Sequence, residues 1–161
     1  MMGVSVAELE ALYRSGYSKF VRVASAISGN ETAGADAVQE AFAKAIRSRK
    51  TFRGDAPLEA WVWRIVVNTA RTARAHERFH ESVLGEADGN GSAVYAERNT
   101  DVLIWVAALP QRQREAVFLR YFADLDYRKI ATVLEIEVGT VSATLSAAHT
   151  RLRQMMKEVH R

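Results

Sequence analysis

Residues 126–153 read DYRKIATVLEIEVGTVSATLSAAHTRLR, and their apolar spacing decides the fold. Ile130, Ala131 and Leu134 form the inward stripe of a short helix that Asp126 is placed to cap. Ile136 and Val138 are expected to fill a corner. Val141, Leu145, Ala148 and Leu152 then recur along one side of a second helix. A helix-turn-helix is built this way: an apolar seam docks the second helix and leaves its outer face free for the major groove of DNA. An ordinary helical hairpin has the same pattern, so the rest of the chain must decide between them.

Immediately upstream, DVLIWVAAL and PQRQREAVFLRYFA continue the helical periodicity, the second opening at Pro110. Further back, ADAVQEAFAKAI (35–46) sets Val38, Ala41, Phe42 and Ala45 at i, i+3, i+4 and i+7. Asp36, Gln39, Glu40 and Arg47 occupy its other faces. KTFRGDAPLEA breaks that helix, and AWVWRIVVNTAR begins another after Pro57, with Asp55 as a candidate cap. Between the halves, SVLGEADGNGSAVYAERNT carries Gly85, Gly89 and Gly91 beside Asn90 and Ser92 and has no sustained period. It reads as a mobile linker. The expectation is an all-α chain of two small helical domains, 1–78 and 101–161, on a flexible linker, 79–100.

Charge is distributed unevenly. Residues 1–78 hold 12 Lys/Arg against 8 Asp/Glu, 79–100 hold 1 against 4, and 101–161 hold 9 against 7. Two basic lobes flanking an acidic connector suit a polyanionic partner. With no cysteine, the 161-residue chain has neither disulfides nor a thiolate metal site, which fits a reducing cytoplasm. No apolar run is long enough to span a bilayer, and MMGVSVAELE lacks a signal pattern, so the expected localisation is cytoplasmic.

One pattern points elsewhere. HERFH (76–80) matches the H-E-x-x-H signature of zinc peptidases, with His76 and His80 as ligands and Glu77 as general base. Arg71, Arg74 and Arg78 crowd it and would oppose a dication, and His149 and His160 have no zincin-like spacing to it. A solvated helix end is the better account, and neither a metal site nor another cofactor is expected.

The motifs taken together are more specific. ALPQRQREAVFLRYFADLDYRKIATVLEIEVGTV (108–141) closely resembles the fourth conserved region of bacterial RNA polymerase sigma factors. ADAVQEAFAKAI and FRGDAPLEAWVWRIVVN (52–68) resemble the second. Both blocks in this order, separated by a linker, are the pattern of the extracytoplasmic-function (ECF) sigma factors, over roughly residues 10–77 and 101–156.

The resemblance implies a non-enzymatic transcription initiation factor that binds polymerase core, recognises −10 and −35 promoter elements and opens the −10 DNA. Core docking, on the β′ clamp, would fall to Asp36, Val38, Gln39 and Glu40. Contact with the melted −10 strand would fall to Lys50, Arg53, Arg64, Asn68, Arg71 and Arg74. Such a grip suits cations for phosphates and an amide for a base edge. The −35 element would meet Arg128, Lys129, Thr140, Ser142, Ala143, Thr144, Ser146 and His149. Implied partners are the β and β′ subunits of polymerase core, promoter DNA and an anti-sigma factor, with no small-molecule substrate. Of Trp61 and Trp63, the resemblance makes Trp61 core and leaves Trp63 open.

The chain also departs from the pattern. Val67, Thr72, Ala75 and His76 stand where the family usually has Arg, Asp and a double Arg. Its recognition helix reads Val141-Ser142-Ala143-Thr144 in place of Val-Lys-Ser-Arg, and Ala147 and His149 replace arginines. Glu135 occupies a turn position that usually carries glycine and can require positive φ. A sigma-like decoy that binds an anti-sigma factor without productive promoter binding is therefore the rival account. A stand-alone helix-turn-helix repressor would leave the first 77 residues unexplained.

Overall fold

A computed structural model describes the backbone of residues 3–84 and 100–160, and side chains over 3–76 and 104–160. Seven α-helices and a short 3-10 turn (Arg49–Thr51) make up the regular structure among the described residues, which include no strand. The helices are α1 (Val6–Ser28), α2 (Glu31–Arg47), α3 (Leu58–Leu84), α4 (Thr100–Ala107), α5 (Gln111–Tyr121), α6 (Tyr127–Leu134) and α7 (Val138–Val159).

The first three helices pack as one unit. Ser5 and Glu8 form a reciprocal capping box at the start of α1, and this backbone hydrogen bond holds the Glu8 carboxyl below its ordinary pKa. Gly29 ends α1 in the left-handed region at φ 103°, and Asn30, the very next residue, caps α2 by accepting from the Ala33 amide at 2.7 Å. The two helices then run back close together at Gly34, where any Cβ would collide with the Ser25 backbone. The expected α2 stripe is the one that is buried: Val38, Ala41, Phe42 and Ala45 all face the core. Around it, Phe20 meets Phe42 edge-on at 5.2 Å and Trp63 at 4.4 Å between ring centroids.

Three sequence expectations need correcting here. Trp63, not Trp61, is the core indole: it is 1% exposed against Phe20 of α1, whereas Trp61 is half-buried beside Phe52. Val38 is fully buried, so it supports the α2 surface from within and offers nothing to a docking partner. At the entry to α3 the Pro57 carbonyl accepts from the Trp61 amide, so Pro57 rather than Asp55 stands at the cap position.

The second unit follows the helix-turn-helix expectation. Asp126 caps α6 by accepting from the Lys129 amide at 2.8 Å. Ile130, Ala131, Val133 and Leu134 are buried, as are Val141, Leu145 and Ala148 of α7, with Leu152 packed against them. The axes of α6 and α7 meet at 98°. Glu135 ends α6 at φ 58°, ψ 45°, the left-handed geometry that its turn position requires, and the Ile136 amide donates to the Ala131 carbonyl. Ile136 fills the corner as expected. Val138 does not; it is 44% exposed as the first residue of α7.

α3 packs against α6, bringing the two units into contact. The HERFH residues lie within α3, which is helical through Leu84, six residues beyond the expected domain limit and into the expected linker; residues 85–99 of that linker, and the side chains of 77–103, lie outside the described residues. Among the described residues no single helix is long and apolar enough to cross a membrane.

Candidate nucleic-acid interface

Three outward surfaces carry the residues singled out from sequence. On α2, burial of the Val38/Phe42 stripe turns Asp36, Gln39 and Glu40 to solvent. Glu40 is drawn back only by an exposed ion pair with Lys44 at 3.4 Å, which adds little.

On α3, burial of Val66, Val67 and Ala70 turns Arg64, Asn68 and Arg71 outward at i, i+4 and i+7, on one face. The Asn68 Oδ1 accepts from the Arg71 guanidinium at 3.2 Å, so amide and cation are held together. Lys50 and Arg53 are exposed in the turn that precedes this helix. Arg74 does not join them. It follows the buried Val67/Ala70 side, its guanidinium lies against Gly29 at the end of α1, and its Nε is buried without a hydrogen-bond partner in the structure.

On the helix-turn-helix, Thr140, Ser142, Ala143 and Ser146 are exposed along α7 and Thr144 is half-buried. The first cation of that helix is Arg151, more than three turns in. His149 is tied to Tyr121 of α5 by a 2.8 Å hydrogen bond. Arg128 is exposed at the start of α6, while its neighbour Lys129 is engaged elsewhere.

That engagement belongs to a set of charge pairs between the two units, which sequence inspection missed. Arg71 donates through Nε and Nη2 to both oxygens of Glu115 on α5, at 2.8 and 2.6 Å, and Gln111 adds a third donor at 3.3 Å. Glu115 is 1% exposed. Its hydrogen bond, ahead of its charge, raises the Arg71 pKa above the usual value against the opposing effect of burial. Lys129 donates to Glu59 of α3 at 2.9 Å, which likewise raises the lysine pKa. Arg64 lies 3.6 Å from Glu135, and Lys19 of α1 lies 3.2 Å from Asp124. The exposed pairs contribute about 0–1 kcal/mol each. The buried one is different, because removing one partner strands a charge and costs about 3–5 kcal/mol. One sequence signal pointed to it: Glu115 is an acid set directly against the apolar run Ala116–Leu119.

An all-helical chain with a helix-turn-helix in one unit, and an amide flanked by cations on a helix of the other, defines a DNA-binding regulator of two modules. Comparison with known proteins narrows this. The model described as Sigma-70 region 2 matches residues 12–79, and that described as Sigma-70, region 4 matches residues 106–152. The chain is 32% identical over 130 residues to the ECF RNA polymerase sigma-E factor of Escherichia coli (strain K12), covering 70% of this chain and 68% of that one. It is 30% identical over 139 residues to the protein of the same name from Haemophilus influenzae, covering 76% and 74%. In fold it is similar to the sigma factor RpoE of Bartonella quintana, solved with the anti-sigma factor NepR, at a TM-score of 0.74 and 22% identity over 94% of this chain and 98% of that one. It is also similar to CnrH, solved with the cytosolic domain of CnrY, at 0.72 and 21% over 96% and 90%. The chain belongs to the sigma-70 family, in its ECF group. It is a transcription initiation factor and not an enzyme.

Proposed function

We propose that the chain joins RNA polymerase core through the exposed Asp36, Gln39 and Glu40 and reads promoters with its two other surfaces. Lys50, Arg53, Arg64, Asn68 and Arg71 meet the −10 strand as it opens. Arg128, Lys129 and the polar side of α7, from Thr140 through Ser142, Ala143, Thr144 and Ser146 to His149, face the −35 duplex. The observation that carries this assignment is the shared face of Arg64, Asn68 and Arg71 on α3. It puts two phosphate-binding cations on either side of an amide that can pair with an unstacked base. Asn68 has no such use on a closed duplex, so its role is in opening.

The protein acts in the cytoplasm, where polymerase is found. Residues 1–78 and 101–161 serve as the two working modules and 79–100 as the tether between them. The Bartonella quintana sigma factor of similar fold, solved with an anti-sigma factor, supports a partner of that kind here. Polymerase supplies all the chemistry.

The test is competition for core polymerase followed by run-off transcription. Asp36→Ala with Gln39→Ala is expected to keep its helical content and lose at least about tenfold in core affinity, the equivalent of about 1.4 kcal/mol. A double variant that competes as well as the parent chain would remove α2 from the docking surface. Core binding without any run-off product would favour the decoy account instead.

A further inference from the structure

The hairpin of α1 and α2 is closed at both ends. Gly29 and Asn30 close one of them. At the other, the Val4 amide, two residues before α1, donates to the Arg49 carbonyl at 3.0 Å. Val4 is 6% exposed, and a Cβ built on Gly3 would lie 3.6 Å from both the Arg49 oxygen and the Lys50 Cα. The chain before α1 therefore runs along the 3-10 turn in ordinary van der Waals contact. Ser5, the next residue, is held by its capping box with Glu8, at 2.8 and 3.1 Å.

That turn needs outside support. A single 3-10 turn has poor hydrogen-bond geometry and little stability alone. Its own ties are local. Thr51 donates through amide and hydroxyl to the Ser48 carbonyl at 2.9 and 2.6 Å, and Arg49 Nη1 donates to the Ile46 carbonyl at 2.8 Å. These bonds shape the turn but do not place it against α1 and α3. Val4 does so on one side, and Phe52, 5.3 Å from Trp61 between ring centroids, does so on the other. Lys50 lies between those anchors. It and Arg53 are exposed and have no ion pair among the described residues. A lysine on a backbone already held in place loses less freedom when it meets a phosphate.

We infer that Val4 is a positioning residue: its amide and buried side chain set the turn from which Lys50 reaches the −10 strand. This rests on the assignment of Lys50 to that strand. Each phosphate contact to a single strand adds about 0.7 to the slope of log K against log salt, so a turn cut loose forfeits about that much.

The experiment uses the full chain and a single-stranded −10 oligonucleotide. Val4→Pro removes the donor and keeps an apolar side chain, Val4→Ala keeps the donor and hollows the anchor, and Val4→Ile keeps both. Val4→Pro is expected to weaken binding about threefold at low salt and to make the slope shallower by about 0.7. Val4→Ala should fall between, and Val4→Ile should match the parent. Lys50→Ala should reproduce the loss, and Val4→Pro added to it should cost nothing more, a non-additivity that a purely structural role would not produce. Because the chain has no cysteine, a nitroxide on Lys50→Cys reads the turn directly. Its spectrum should sharpen with Val4→Pro and stay unchanged with Val4→Ile. If Val4→Pro loses helical content, Val4→Ala carries the same comparisons.

A further loss on top of Lys50→Ala, or a nitroxide indifferent to the Val4 substitutions, overturns the inference. So does parent-like binding by Val4→Pro and Val4→Ala where Lys50→Ala is impaired; the Lys50 assignment then stands and only the brace is lost. If Lys50→Ala binds as well as the parent, Lys50 leaves the −10 site and the inference falls with it.

Discussion

The Tyr121 hydroxyl and Nε2 of His149 lie 2.8 Å apart, joining the end of α5 to the middle of the recognition helix α7. A side chain that replaces a usual arginine is therefore engaged within the protein, on a helix whose outer face has no cation before Arg151. Binding to −35 duplex is expected to be weak, with a shallow salt dependence. Ser142→Lys with Thr144→Arg in the full chain should tighten it and steepen the plot of log K against log salt by about one unit per new phosphate contact. Anisotropy across a salt series measures this. Tight binding by the parent chain, indifferent to both substitutions, would move the DNA surface off this face.

Asn68→Ala should impair promoter opening more than closed-complex formation, since a base-edge amide has a partner only after strands separate. A lost base contact costs about 1–3 kcal/mol. Permanganate reactivity on duplex and on pre-melted promoters separates the two effects. Equal defects on both templates would argue against a role in melting.

Gly34→Ala pits helix propensity against space. Alanine would favour an exposed helix interior by about 1 kcal/mol. Here its methyl would meet the backbone of Ser25, so α1 and α2 must separate, at a cost of about 1–3 kcal/mol. Net destabilisation is expected, read as a lower denaturation midpoint at unchanged slope. A variant as stable as the parent would mean that the helices yield more easily than their spacing implies.

Glu135→Gly relieves a left-handed backbone that costs a side-chain-bearing residue about 1–2 kcal/mol. What it gives up is an exposed ion pair with Arg64 at 3.6 Å, worth under about 1 kcal/mol. The variant should therefore melt a few degrees higher. A lower melting temperature would show that the Arg64 pair outweighs the backbone strain.

Glu135 also marks how far sequence reasoning reached. The stripes of α2, α6 and α7, the Asp126 cap and the positive φ at Glu135 were all legible, because each is a local rule of spacing or turn geometry. The placement of Trp61 and Trp63 was not. Trp61 and Trp63 project from different sides of α3, and only the position of Phe20 on another helix decides which is enclosed. Helix α1 itself went unassigned beyond a general richness in helix-forming residues. The side chains proposed to face DNA were named from motifs. Their capture by Glu115, Glu135 and Glu59 could not, since pairing between distant elements leaves no period in the chain.

The junction of Gly29 and Asn30 has a consequence of its own. The last residue of one cap is followed directly by the first of the next, so the corner holds no slack. Adding or removing a single residue within α2 just after it would rotate everything downstream by about 100°. An insertion would swing Val38 and Phe42 toward water and Asp36 and Glu40 toward the core. In this hairpin chain length is inherited as strictly as residue identity: substitutions can be explored one at a time, but an insertion reverses inside and outside at a stroke.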